Sequence, residues 1–151
     1  SLLADPPQGR FRDRVTEAVW RRMTEADPEL VRAGASVLAL PQNAGLATTL
    51  VWESADVIWT ALGDSSTDVN WYSKRATLAG VISATVLYWL GDNSEGQADS
   101  RAFLERRIEN VMRIEKAKAS LKKLPGAEAL ARAAFGWIRA PRRRALPGKA
   151  R

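Results

Sequence analysis

Residues 76–90 read ATLAGVISATVLYWL, fifteen residues without a charge, and directly before them residues 68–75 read DVNWYSKR. An uncharged run with no strict alternation predicts a helix rather than a strand, and one apolar on every side predicts a buried rod at the centre of a helical bundle. Fifteen residues fall short of the roughly 20 that a bilayer-spanning helix requires, so no membrane span is expected. The rod begins at a Ser66, Thr67 or Asp68 cap and ends near Gly91. At about 100° per residue, Asp68, Trp71, Tyr72 and Arg75 share one face of its first two turns. Aromatic residues with an arginine at an emerging helix end make either the last turn of the core or an interface anchor.

The periodicity outside this rod is helical too. Val15, Ala18, Val19, Met23 and Ala26 stripe a first helix over about 11–25, and Asp27-Pro28 opens a second, over about 29–40, that stops at Pro41. A third covers about 43–62 and closes on Gly63. A fifth covers about 98–123 with Phe103, Leu104, Ile108, Val111 and Met112 inward. On it Arg101, Glu105, Glu109 and Arg113 follow at i, i+4 as a solvated ion-pair face. Pro125-Gly126 then breaks the chain before a sixth, over about 127–139. The fold class is therefore all-α, a bundle of about six helices. Its organisation reads as a bundle over 1–124, an amphipathic helix over 125–140 and a basic flexible tail over 141–151.

A hydrophobic content of 46% in 151 residues suffices for one core. The net charge of +6 is unevenly placed, since Lys116 onward carries eleven cations against the single acid Glu128, a net of +10, leaving −4 before it. Charge of that kind suits anionic lipid or nucleic acid. The absence of Cys and His removes disulfides, thiol and Ser-His-Asp nucleophiles and ordinary zinc or Glu-x-x-His di-iron sites, so no catalytic residue, metal or cofactor is expected. No secretory signal pattern is visible, and the opening SLLADPPQG has the look of a ragged domain edge with a segment upstream of it.

The sixth helix places Leu130, Ala134, Phe135, Trp137 and Ile138 on one apolar arc bordered by Arg132 and Arg139, and Arg142, Arg143 and Arg144 follow it. This composition suits an interfacial helix on an anionic membrane surface. The uncharged faces of the third to fifth helices, Leu50, Trp59, Leu78, Ile82, Val86, Trp89, Leu104 and Ile108, are expected to enclose an elongated apolar cavity.

Between 39 and 112 the chain carries LPQNA (40–44), D-x-I-W (56–59), GD-x-STD-x-NWY-x-x-R (63–75), LYWLGD-x-S (87–94) and FL-x-RRI-x-NVM (103–112). In these motifs it resembles the ubiquinone (coenzyme Q) biosynthesis accessory family of the ninth Coq protein of mitochondria and its bacterial relatives, in the family's C-terminal domain. The resemblance implies the fold of the ligand-binding domain of TetR regulators without enzymatic activity. It implies binding of isoprenoid quinone precursors, presented at the membrane to the di-iron demethoxyubiquinone hydroxylase. It carries that partner surface onto Asp68, Trp71, Tyr72 and Arg75; Ser73-Lys74 stands where relatives can have Thr-Arg. A bacterial cytoplasmic protein on the inner membrane, with a homodimer among its allowed states, is the corresponding expectation. The alternative is a TetR-like ligand-sensing regulator, but no helix-turn-helix is visible and no nucleic acid is expected.

Overall fold

The structure, a computed structural model, describes residues 2–141. Arg142, Arg143 and Arg144, and the basic tail beyond them, lie outside the described residues. Six α-helices follow in order: α1 (Phe11–Thr24), α2 (Pro28–Leu38), α3 (Ala44–Ala61), α4 (Val69–Leu90), α5 (Ala98–Lys122) and α6 (Ala127–Phe135). Short 3-10 turns at Pro41–Asn43 and Glu95–Gln97 precede α3 and α5. No strand occurs among the described residues.

Punctuation residues set the boundaries. Asp27 caps α2 by accepting from the Glu29 and Leu30 amides, with Pro28 at the first helical position. Of the three residues expected to cap α4, Asp68 does so, accepting from the Asn70 amide at 2.9 Å. Gly126, at φ 81°, supplies the left-handed backbone that lets the chain reverse between α5 and α6.

The core is built by α1, α3, α4 and α5: α3 packs on α4, α4 on α5 and α5 on α1. Val15, Ala18, Val19 and Met23 form the buried stripe of α1, while Ala26 is exposed, because α1 ends at Thr24 before its periodicity can reach that position. Ala55 and Ile58 on α3, Leu78, Val81, Ile82 and Trp89 on α4, and Leu104 and Ile108 on α5 meet this stripe. Phe103 is half-buried and stacks on Tyr88 with ring centroids 4.5 Å apart. Neither α2 nor α6 buries a residue.

The expectation that α4 is buried all round is corrected. Its outward stripe of Ala76, Gly80, Ser83 and Leu87 faces solvent, and Leu87 is 72% exposed. Freedom from charge is not the same as apolar area: Ala, Gly and Ser offer too little surface to require a covering helix. The ion-pair face of α5 forms as read, with Arg101 and Glu105 at 3.6 Å and Glu109 and Arg113 at 2.8 Å. Arg101 also reaches Glu17 of α1 at 2.9 Å, which ties the two helices together at the surface.

Candidate functional site

The loop between α3 and α4 brings charge into the bundle. Gly63 closes α3 at φ 81°, and Asp64 behind it turns inward with a side chain only 1% exposed. One carboxylate oxygen of Asp64 accepts from the Ser66 hydroxyl at 2.7 Å and from Lys74 at 2.8 Å, and the other accepts from Arg75 Nη1 at 2.9 Å. Burial pushes the Asp64 carboxyl up, but these donors outweigh it and hold it well below the usual carboxylate range.

Arg75 is itself fully buried. Its Nε donates to Asp56 at 2.6 Å, and its guanidinium lies 4.0 Å from the centre of the Trp71 ring. The two ion pairs are not equivalent. Asp56 is 44% exposed, so water screens its pair to about 0–1 kcal/mol, whereas breaking the buried Asp64–Arg75 pair from one side costs about 3–5 kcal/mol.

These contacts correct the placement of Arg75 on an emerging surface beside Asp68. Arg75 pairs with Asp56 and Asp64, while Asp68 remains an exposed helix cap. The aromatic part of the patch does reach the surface. Trp71 is half-buried, Tyr72 is 38% exposed, and their rings meet edge-on at 4.9 Å. Trp52 of α3 joins them, 6.0 Å from Trp71 and 6.5 Å from Tyr72. Sequence reasoning missed Trp52, Asp56 and Asp64. A signal existed for the first two, because Trp52, Asp56 and Trp59 recur at i, i+4 and i+7 on one face of α3.

Beside this charged loop lies a cavity of about 380 Å³ between α1, the end of α3, the first half of α4 and the middle of α5. Its walls are mainly apolar: Phe11, Val15, Trp59, Leu62, Leu78, Val81, Ile108, Val111 and Met112. Asp64, Ser65, Lys74, Thr77 and Glu115 supply its polar lining. Trp59 is fixed there by donating its Nε1 hydrogen to the Lys74 carbonyl at 3.1 Å, with Phe11 5.9 Å away and the Lys74 ammonium over its ring.

Of the eight residues expected to enclose a cavity, Trp59, Leu78 and Ile108 line this one. Ile82, Trp89 and Leu104 pack in the core away from it, Val86 is half-buried against that core, and Leu50 stands 42% exposed on the outside of α3. The cavity lies nearer the α3–α4 loop than the uncharged faces suggested, because α1 supplies a wall that the sequence pattern did not assign.

At the same end of the bundle α6 follows α5 and touches it without burying a residue. Leu130 is 72%, Phe135 51% and Trp137 79% exposed, and Ala134 is exposed with them. Leu121 in the last turn of α5 and Leu124 just after it are also exposed, at 61% and 57%. The helix stops at Phe135, so Trp137 and Ile138 lie beyond it rather than on a continued helical arc, and Ile138 is half-buried. No helix among the described residues is long and apolar enough to cross a membrane.

Fold and site together define an all-helical domain with an apolar cavity opening beside a buried ion pair and a surface aromatic cluster. Residues 44–115 match the COQ9 family model, and across this stretch the chain belongs to the COQ9 family. It is 40% identical over 79 residues to the mitochondrial ubiquinone biosynthesis protein COQ9 of Rattus norvegicus, covering 52% of this chain and 25% of that protein. The Homo sapiens protein of the same name is 38% identical over 79 residues, with the same coverage. That of Drosophila melanogaster is 32% identical over 105 residues, covering 68% of this chain and 32% of its own length. The chain thus spans about a quarter of the length of the first two of these relatives.

Proposed function

We propose that this chain is the lipid-binding part of an accessory protein of ubiquinone biosynthesis, without catalytic activity of its own. It would hold an isoprenoid quinone precursor and present it at the membrane to a hydroxylase acting on demethoxyubiquinone. The observation that carries this reading is the cavity of about 380 Å³, whose largely apolar walls come mostly from the COQ9-matching stretch. That volume lies within the roughly 300–1,000 Å³ of small-molecule pockets. Apolar walls suit a prenyl chain, and Ser65 and Lys74 offer polar groups to an oxygenated ring.

The exposed apolar surface of α6 and the end of α5 supports peripheral membrane attachment. Among residues 116–141 six cations stand against one acid, which favours an anionic surface. The Trp52, Trp71 and Tyr72 cluster offers the hydroxylase an aromatic docking point. The bacterial inner membrane, from the cytoplasmic side, is the membrane proposed.

Native mass spectrometry of the purified chain, with lipid extraction, tests the ligand. An isoprenoid quinone or precursor in the wild-type chain, displaced in a Thr77→Trp variant that fills the cavity, is the expected result. A wild-type chain carrying no isoprenoid, or a variant carrying as much, would overturn the reading.

A further inference from the structure

Two hydrogen bonds tie the segment after α6 back to the start of α4, across about half of the described chain. The Ala140 amide donates to the Thr67 carbonyl at 2.9 Å, and the Tyr72 hydroxyl donates to the Arg139 carbonyl at 3.2 Å. Ile138 and Ala140 are half-buried against the bundle, although no residue of α6 itself is buried. Gly136 starts this strap where the chain runs so close that a Cβ there would stand 2.4 Å from the Arg132 carbonyl oxygen. Without the strap, α6 would be held to the bundle by the Pro125-Gly126 turn and a contact with α5 that buries no residue of α6, which leaves its angle weakly fixed.

The place of the second attachment matters. Thr67 is two residues from Ser65 on the cavity lining, a span of at most about 7 Å of chain. On its other side Arg139 is two residues from Trp137, the most exposed aromatic of the α6 surface. Ser65 is exposed, so the cavity reaches the surface at this loop, and that opening, the strap and the apolar anchor follow one another within a short reach at one end of the bundle. Asp68 is the one acid exposed on residues 62–68, and the exposed acids nearby are paired with cations, Glu115 on the cavity lining with Lys118 at 2.9 Å and Glu128 of α6 with Arg132 at 3.7 Å.

We infer that residues 136–140 form an orientation strut: when α6 lies on an anionic bilayer, the strut holds the α3–α4 loop, with the cavity mouth, against the same bilayer surface. The inference rests on the proposed membrane attachment of α6 and adds to it a second membrane-apposed segment and a fixed orientation. A lipid leaving the bilayer would then meet the cavity at a set place rather than diffuse around the domain. Two-point attachment is what provides this, because a single flexible hinge fixes proximity but not direction.

The chain has no cysteine, so single labels can be placed freely. A nitrobenzoxadiazole label on Ser65→Cys reports the cavity mouth, and one on Asn93→Cys reports the α4–α5 loop. Both labelled chains are bound to vesicles of phosphatidylglycerol and phosphatidylcholine containing spin-labelled lipid. The strut requires that the label at position 65 shift to the blue and lose emission to the lipid quencher while that at position 93 keeps both. Ala140→Pro removes the amide donor to Thr67, and a Gly-Gly insertion after Ile138 slackens the strap. Either change should leave vesicle sedimentation intact and relieve the quenching at position 65. Equal quenching at 65 and 93, or quenching at 65 that survives both strap variants, would overturn the strut and leave the membrane reading standing. Failure of the unmodified chain to sediment with vesicles would overturn both.

Discussion

Asp64 shows how much one residue in a loop can decide. Its carboxylate joins Ser66, Lys74 and Arg75, so the α3–α4 loop, the cavity lining and the buried end of α4 share one anion. Replacing it by Asn leaves Arg75 buried against only the half-exposed Asp56, and a loss of about 3–5 kcal/mol in unfolding free energy is expected from denaturant titration. The pH dependence has a fixed sign. The folded-state pKa of Asp64 is depressed, so its contribution is complete above the unfolded value, near 4, and fades as pH falls through that value toward the folded one. The wild-type melting temperature should therefore fall between about pH 5 and pH 2, and that fall should be shallower in Asp64→Asn. It should not vanish, because the hydrogen bonds from Ser100 and Ser94 lower Asp92 in the same sense. A fall equally steep in the variant would show that Asp64 is not the linked group. Trp71 covers the Arg75 guanidinium, so Trp71→Ala should cost about 1–2 kcal/mol in stability through the lost cation–aromatic contact. That is less than the about 3–5 kcal/mol of a core tryptophan. Hydroxylase pull-down, run well below the variant's melting point, then reads the docking role of Trp71 separately from its covering role.

Among the elements, α6 is the one whose sequence pattern speaks most directly to function and least to the fold. A core helix loses stability when its aromatics are truncated, but α6 buries none. Phe135→Ala with Trp137→Ala should leave the melting curve unchanged and weaken sedimentation with anionic vesicles. At about 1.5–3 kcal/mol per fully inserted aromatic, partial insertion of both amounts to a loss of tenfold to several hundredfold. Raised salt should weaken binding in the parent chain as well, because the flanking cations are exposed and screened. Unaltered vesicle binding in the double variant would place the membrane surface elsewhere. Helix positions were legible to within a few residues because Pro28, Pro41, Gly63, Gly91 and the Pro125-Gly126 pair punctuate a strong 3.6 periodicity. The end of α6 was not, since Gly136-Trp137-Ile138 can continue an apolar arc on paper while the real chain leaves the helix to meet α4. The burial of Arg75 was illegible for a related reason. Its partners lie 11 and 19 residues away on other elements, and within its own helix Asp68 is the nearest acid.

For the whole molecule, helical packing and cavity formation make separate demands on the same apolar residues, and the sequence does not say which residue serves which. Leu104 and Leu78 illustrate this. Both are buried leucines, yet Leu104 is locked in the core while Leu78 faces core and cavity together. Truncation therefore has different consequences. Leu104→Ala leaves a new void among close-packed neighbours and should cost about 2–5 kcal/mol. Leu78→Ala should cost less where its side chain borders space that already exists, and it should enlarge the cavity. Filling that space is the sharper test. Thr77 lies on the cavity lining and is only half-buried, so an indole in its place can enter the cavity without first displacing a packed side chain. Thr77→Trp should hold or raise the melting temperature of the delipidated chain, because apolar area is buried at about 25 cal/mol per Å² with little strain. The same substitution should abolish co-purification of isoprenoid, measured by extraction and mass spectrometry, whereas Leu50→Ala on the exposed flank of α3 should change neither. A Thr77→Trp chain that melts well below the parent would show the cavity to be too tight to admit a ring, and one that keeps its full lipid content would place the lipid outside it.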